Sequence, residues 1–286
     1  MTVYVPHASQ SAPGRARFAL RADPRLWHLP ALVLLLAYGV TVLDFDQPPI
    51  NIALLIAATL GTQWLCGRLV GLGRFDPLSA LATSLSLSIL LRASSPAVLM
   101  FAGFIAIVQK FVIRVDGKHV FNPSNFGIAV LLLFSDAAWI SPAQWGSRAL
   151  AAFFFASIAG LVLSRAKRAD IALAFLAAYA AILFGRAFYL GDPLAIPLKQ
   201  MQSGALLLFA FFMITDPKTV PNRRSARIFY AGLVAAIAAW LQFGEYNPNG
   251  LMYALFFASP LVPLLDRLWP HAQRPPRYEW TKPVID

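Results

Sequence analysis

Two matching stretches of this chain combine the residue types that start helices and receive anions. The first is Phe121-Asn122-Pro123-Ser124-Asn125-Phe126-Gly127, and the second is Tyr246-Asn247-Pro248-Asn249-Gly250, offset by 125 residues. Asn caps a helix through its side-chain oxygen and Pro fits the first turn, so each copy reads first as a helix start. A helix that starts inside a protein also points free N–H groups and partial positive charge at whatever lies before it, which suits an anionic ligand. Asn122, Pro123 and Asn247 are therefore candidate ligand-binding residues. The same offset pairs Ser79-Ala80-Leu81 with Gly204-Ala205-Leu206, and Pro96 with Pro221. Short matches are cheap in an Ala- and Leu-rich chain. A constant offset without gaps is not, and it marks an internal duplication.

Hydroxyls and isolated charges supply the other candidates. The stretch from Leu78 to Leu91 carries Ser79, Thr83, Ser84, Ser86 and Ser88. Ser84 and Ser88 stand one helical turn apart, so their hydroxyls either line a cavity or bond carbonyls one turn back. In Ile214-Thr215-Asp216-Pro217-Lys218-Thr219, Pro217 disfavours helix at Asp216 and ends the segment there. Asp216, close to Lys218, Arg223 and Arg224, is a salt-bridged hinge or an ion or headgroup contact, flanked by Thr215 and Thr219. Lys110 lies four residues before Arg114 and either snorkels to headgroups or faces a cavity. The lone Cys66 cannot form an internal disulfide, and His7, His28, His119 and His271 show no ligand spacing. No catalytic triad, metal cluster or phosphate-cradling Gly-rich loop stands out.

These residues sit in a membrane composition. The 286 residues are 58% hydrophobic and 13% charged, with a mean hydropathy of +0.63, whereas soluble domains average about 25% charged. Apolar spans run at 29–43, 50–67, 78–91, 97–113 and 124–141, then at 149–164, 170–185, 204–215, 226–243 and 250–265. Lys and Arg accumulate in cytoplasmic loops. With the N-terminus inside, 20 of the 24 basic residues fall in inner segments, leaving Arg92, Arg148, Arg186 and Lys199 outside. That alternation predicts an inner-membrane, multi-pass protein with both termini cytoplasmic, and it explains the net charge of +11 without nucleic acid. The first apolar run follows a polar stretch with four arginines and no cleavage site, unlike a removable signal.

The predicted fold is all-α: a polytopic membrane protein of about ten transmembrane helices in two inverted five-helix repeats. A basic cytoplasmic tail covers 1–28, the first repeat 29–141, the second 149–265, and a polar C-terminal tail 266–286. Five spans per repeat force the second copy to enter from the opposite side, a plan common among transporters. The third span of each half has only 14 and 12 residues, reaching roughly 18–21 Å against about 30 Å of hydrocarbon. A segment that short must be buried in protein or line a cavity, because the backbone beyond it would lack partners in lipid. Paired short segments point to a site between the halves.

At these residues the chain resembles a known family. Lys118-His119-Val120-Phe121-Asn122-Pro123, followed by Gly127, resembles the Phe-Asn-Pro element of the membrane proteins RnfD and NqrB. Ser203-Gly204-Ala205, then Thr215-Asp216-Pro217 with Thr219, resembles that family's Ser-Gly-Ala-Thr and Thr-Asp-Pro-x-Thr elements in the same order. The resemblance spans approximately residues 30–265. It implies a urea-transporter-like fold of two inverted five-helix repeats, flavin-mediated electron transfer coupled to ion movement, and other membrane or redox subunits as partners. It also places Ser203, Gly204 and Ala205 at a flavin site. One departure matters: the Thr that carries FMN by a phosphoester in the family is Leu206 here, which has no hydroxyl. No covalent flavin is expected at Leu206, and any FMN or riboflavin is non-covalent. The Phe-Asn-Pro-Ser-Asn-Phe-Gly form and the missing Thr are similar to a divergent, UnbU-like branch. Two functions follow: a redox subunit with a flavin between its halves, or a small-solute or ion transporter or channel that keeps the scaffold without redox chemistry.

Overall fold

The second and fourth apolar segments of the first half, α2 (Pro49–Leu69) and α4 (Pro96–Val112), pack along each other. Both begin at a proline in the first turn, where the missing N–H costs nothing. The computed structural model describes residues 25–43, 45–73, 75–141 and 169–269. The expected span at 149–164, residues 1–24 and residues 270–286 lie outside them.

Helix α1 (Arg25–Thr41) packs on α3 (Leu78–Leu90), which also lies against α2. At Leu91 the backbone becomes extended and forms β1 (Leu91–Ala93), antiparallel to β4 (Ala138–Ile140) with Leu91 opposite Ile140. Arg92 donates from Nη1 to the carbonyls of Ser88 at 3.0 Å and Leu91 at 3.0 Å, occupying oxygens that the stopped helix leaves open. After α4 comes a hairpin of β2 (Arg114–Val115) and β3 (Lys118–His119). Its turn is Asp116-Gly117, with φ of 51° and 81°, the left-handed pair that a two-residue hairpin loop requires. Helix α5 (Pro123–Phe134) follows immediately, capped by Asn122, whose Oδ1 accepts from the Asn125 N–H at 3.0 Å.

The described part of the second half comprises first α6 (Ala169–Leu190) and the short α7 (Ala195–Met201). Helix α8 (Gly204–Leu208) continues into a π-helical turn, Phe209–Met213, and the α7–α8 pair is bent by 47°. Helix α9 (Arg224–Phe243) packs on α6 and on α10 (Gly250–Ala258). A 49° break separates α10 from α11 (Leu261–Leu268). Contacts between α5 and α10 bring the halves together. Glycine permits close approach at two helix joints. A Cβ on Gly127 would lie 2.9 Å from the Ala102 carbonyl of α4, and one on Gly250 would lie 2.9 Å from the Ala238 carbonyl of α9.

Leu55, Leu87, Leu90, Phe175, Phe209 and Tyr230 are fully buried in the core, while Trp64, Leu173, Phe188, Phe229 and Trp240 are exposed. Large apolar side chains on the outside of long helices are what a hydrocarbon environment selects. The chain is a mostly helical membrane protein. Among the described residues three helices can cross a bilayer by length and composition, α2, α6 and α9, or five spans if each bent pair counts as one. The expected short third segments are present as α3 and the α8–π segment. The fifth segments also fall short of their expected length: α5 stops at Phe134 and turns into a strand, and α10 ends at Ala258.

Candidate functional site

Five elements meet around one cavity of about 350 Å³. The start of α3 contributes Ser79, Thr83 and Ser86, the end of α4 contributes Lys110 and Phe111, and the hairpin contributes Arg114 and His119. The first turn of α5 adds Asn122, Pro123 and Ser124, and the end of the π-helical turn adds Phe212, Thr215 and Asp216. Both halves thus meet at the cavity. The volume lies at the small end of ligand pockets, which run about 300–1,000 Å³.

Lys110 turns inward rather than snorkelling. Its Nζ donates to Gln63 Oε1 at 2.8 Å and Ser79 Oγ at 3.0 Å. The hairpin register sets His119 opposite Arg114 and buries it, 8% exposed. His119 Nε2 lies 3.5 Å from Asp216 Oδ2 and has no well-formed hydrogen bond. Asp216 takes the Lys218 backbone N–H on Oδ1 at 3.0 Å. Burial pushes the His119 pKa down, and the Asp216 carboxylate only partly offsets this. Burial pushes Asp216 up, but the contact with His119 and the Lys218 N–H bring it below the ordinary carboxylate value.

The carbonyl that closes the π-helical turn is shared between the halves: Met213 O accepts from the Asp216 N–H at 3.3 Å and from Asn122 Nδ2 at 3.3 Å. Asn125 Nδ2 donates to Met252 O on α10 at 2.9 Å. Asn122 and Asn125 therefore cap α5 and bind the halves to each other.

Of the residues singled out in the sequence, the cavity gathers Lys110, Asn122, Pro123, Thr215 and Asp216. Thr219 lies behind it, buried, with Oγ1 donating to Asp216 O at 3.3 Å. The Thr215 hydroxyl donates to Phe211 O at 2.6 Å. On α3 the face with Ser79, Thr83 and Ser86 meets the cavity. Ser84 is instead buried with its hydroxyl on Leu81 O at 2.9 Å, and Ser88 is fully buried away from the cavity. Ser203, Gly204 and Ala205 start α8, at the opposite end of that segment from Thr215, and Leu206 is buried in the core, 1% exposed. Asn247 turns its Oδ1 back onto the Asn249 N–H at 2.9 Å, outside the cavity lining. Asp216 meets His119 across the halves and also feels the charge of Lys218, one of the neighbours its sequence context offers. Arg224 approaches Asp170 at 3.9 Å. His119 and Gln63 were not among the candidates. The Asp116-Gly117 hairpin turn was the available signal for His119. Nothing local marked Gln63, one polar residue in an apolar helix.

A half-open cavity of mixed apolar and polar lining between short helices of a membrane protein defines the class. Similarity to known proteins narrows it: residues 137–274 match the NQR2, RnfD, RnfE family, so the resemblance to RnfD and NqrB holds in the half that carries Ser203-Gly204-Ala205 and Thr215-Asp216-Pro217. The D subunits of ion-translocating oxidoreductase complexes are similar to the chain. The one from Citrobacter koseri is 40% identical over 80 residues, 27% of this chain and 22% of the relative. Those of Escherichia coli O7:K1 and K12 are 36% and 35% identical over 108 residues, 37% of this chain and 30% of each relative. The chain thus spans less than a third of the length of these relatives.

Proposed function

We propose that this protein is a membrane subunit of an ion-translocating oxidoreductase complex, comparable in role to RnfD and working with other membrane or redox subunits. The observation that carries this reading is the convergence of Asn122-Pro123 from one half and Thr215-Asp216-Pro217 from the other on one cavity, beside the family match over 137–274. The arrangement belongs to ten spans in two inverted repeats. In support, α2, α4 and α5 pack in sequence as α6, α9 and α10 do, and a close glycine contact joins α5 to α4 and α10 to α9. Both termini are placed at the cytoplasmic face of the inner membrane. Consistent with that, Lys118, Lys218 and Arg267, from three segments assigned inside, line one pocket, and Arg186 pairs with Asp192 at 3.6 Å among segments assigned outside.

A flavin in this chain is non-covalent, FMN or riboflavin, and would lie in the cavity. The buried Leu206 offers no oxygen for a phosphoester. The cavity lining suits a ring with a carbonyl edge: Phe111 and Phe212 form apolar wall, and Lys110 and Ser79 supply donors, while the Thr83 hydroxyl is donated to Ser79 O. Bound there, a flavin would supply electron transfer. Lys110 would hold negative charge at the ring edge or side chain, and the surrounding short helices would limit water.

An absorbance spectrum of detergent-purified protein before and after acid precipitation tests the reading. Flavin in the supernatant is the expected result. Flavin in the pellet overturns the non-covalent assignment, and a colourless protein from flavin-replete cells favours a transporter or channel on the same scaffold.

A further inference from the structure

We propose that the His119–Asp216 contact is a gate between two cavities of the protein, closed while the imidazole is neutral and opened by its protonation. The cavity described above has a neighbour of about 330 Å³ between the hairpin and α11, lined by Asp116, Lys118, Asn222, Asp266 and Arg267 among others. The two cavities have His119 and Lys218 in common. The wall between them is therefore made of side chains, from the hairpin of one half and from the loop after the π-helical turn of the other. In that wall His119 Nε2 faces Asp216 Oδ2 at 3.5 Å, too long for a good hydrogen bond, and the two side chains are 9% and 16% exposed.

Contacts on either side of the gate hold the halves together without an imidazole. Lys118 donates to Asn222 Oδ1 at 2.6 Å and to Asp266 Oδ2 at 3.3 Å. Asn125 donates to Met252 O at 2.9 Å, and Phe121 and Phe126 pack on Phe256 with ring centroids 5.1 and 5.8 Å away. Movement of His119 thus opens the wall locally. Charge sets the direction. The charged groups around the imidazole are Lys110 on α4, Arg114 opposite it in the hairpin, and Asp216 and Lys218 on the loop, while His28 and Asp76 line the interior cavity. Burial and two ammonium groups oppose a charged imidazole, and Asp216 only partly offsets them. An imidazolium is better solvated in the neighbouring pocket, beside water and the Asp116 carboxylate, than in the wall. Its departure lets water and small hydrophilic solutes pass from that pocket to the interior cavity.

The gate depends on neither the flavin nor the family role. Hydrogen exchange of the full-length protein in detergent, corrected for the intrinsic rate at each pH, reads it. The Val120 N–H, bonded to Ile113 O, and the Thr219 N–H, bonded to Asp216 O, mark its two sides. Both should exchange well before the amides of α9 at every pH, because the opening is local. An exposed imidazole titrates near its ordinary pKa of about 6.5, so opening rises by at most about tenfold between pH 8 and pH 5.5. A severalfold acceleration at both amides is expected, absent from His119→Gln. Should His119→Gln fail to fold, Asp216→Asn decides: with the carboxylate gone, both amides should already exchange faster than in the native protein at pH 8. Exchange no faster than that of α9, slower exchange in acid, the same acid response in His119→Gln, or native protection in Asp216→Asn overturns the gate.

Discussion

Removing the Asp170 carboxylate should be among the most damaging single changes on the proposed inner face. Asp170 sits in the first turn of α6 and receives Arg227 from the first turn of α9: Nε to Oδ2 at 3.0 Å and Nη2 to Oδ2 at 2.6 Å. The Arg227 and Asp170 side chains are only 7% and 12% exposed. Arg227 stands at a helix N-terminus, where the helix dipole disfavours a cation. It depends on Asp170 and on the Asn222 carbonyl, 2.6 Å from Nη1. Asn222 in turn donates its N–H to Asp266 Oδ1 at 2.7 Å, and Lys118 reaches Asp266 Oδ2 at 3.3 Å. Asp170→Ala leaves a buried guanidinium without its carboxylate, a loss of about 3–5 kcal/mol. At roughly 2–4 °C per kcal/mol, Tm should fall on the order of 6–20 °C. The assay is thermal unfolding in one detergent, with the double variant Asp170→Leu, Arg227→Met alongside. The double variant should recover most of the loss, because an apolar pair replaces a buried ion pair at little cost. A single variant within about 2 °C of the native protein, or a double variant no better than the single, refutes the reasoning.

Gly127→Ala should destabilise the protein by about 1–3 kcal/mol through overpacking against α4, whereas Gly185→Ala, with nothing within 4 Å of its added Cβ, should be neutral or stabilising in the same melt. Stability should also fall as pH drops. His119 has a folded pKa below its ordinary 6.5, so the unfolded chain binds the proton more readily and stability is lost as pH passes down through the unfolded value near 6.5. Tm measured from pH 8 to pH 5 should decline in the native protein and stay flatter in His119→Gln. Equal slopes would contradict a buried neutral imidazole. Asp216, whose folded pKa is depressed, contributes above about pH 3.9 and is lost only in stronger acid.

Composition determined the membrane class, because so few charges and so many apolar residues cannot be packed inside a soluble protein of this length. Local chemistry also determined where segments stop. Pro217 ends the π-helical segment, Asn122-Pro123 starts α5, and the short third segments were visible as interruptions of hydropathy. Asp116-Gly117 specified a hairpin that only a search for turn residues would have read. Tertiary packing decided the rest. Helical spacing grouped Ser79 with Thr83 and Ser84 with Ser88, but only the neighbours of α3 chose which face meets the cavity. The Asp216–His119 contact and the Lys110–Gln63 bond join positions far apart in sequence, and no local pattern encodes a long-range pairing. Ser203-Gly204-Ala205 and Thr215-Asp216 are adjacent motifs in the chain, yet the length of one helical segment separates them. Sequence spacing along a rigid helix sets distance, and the packing of the two halves sets which end faces the site.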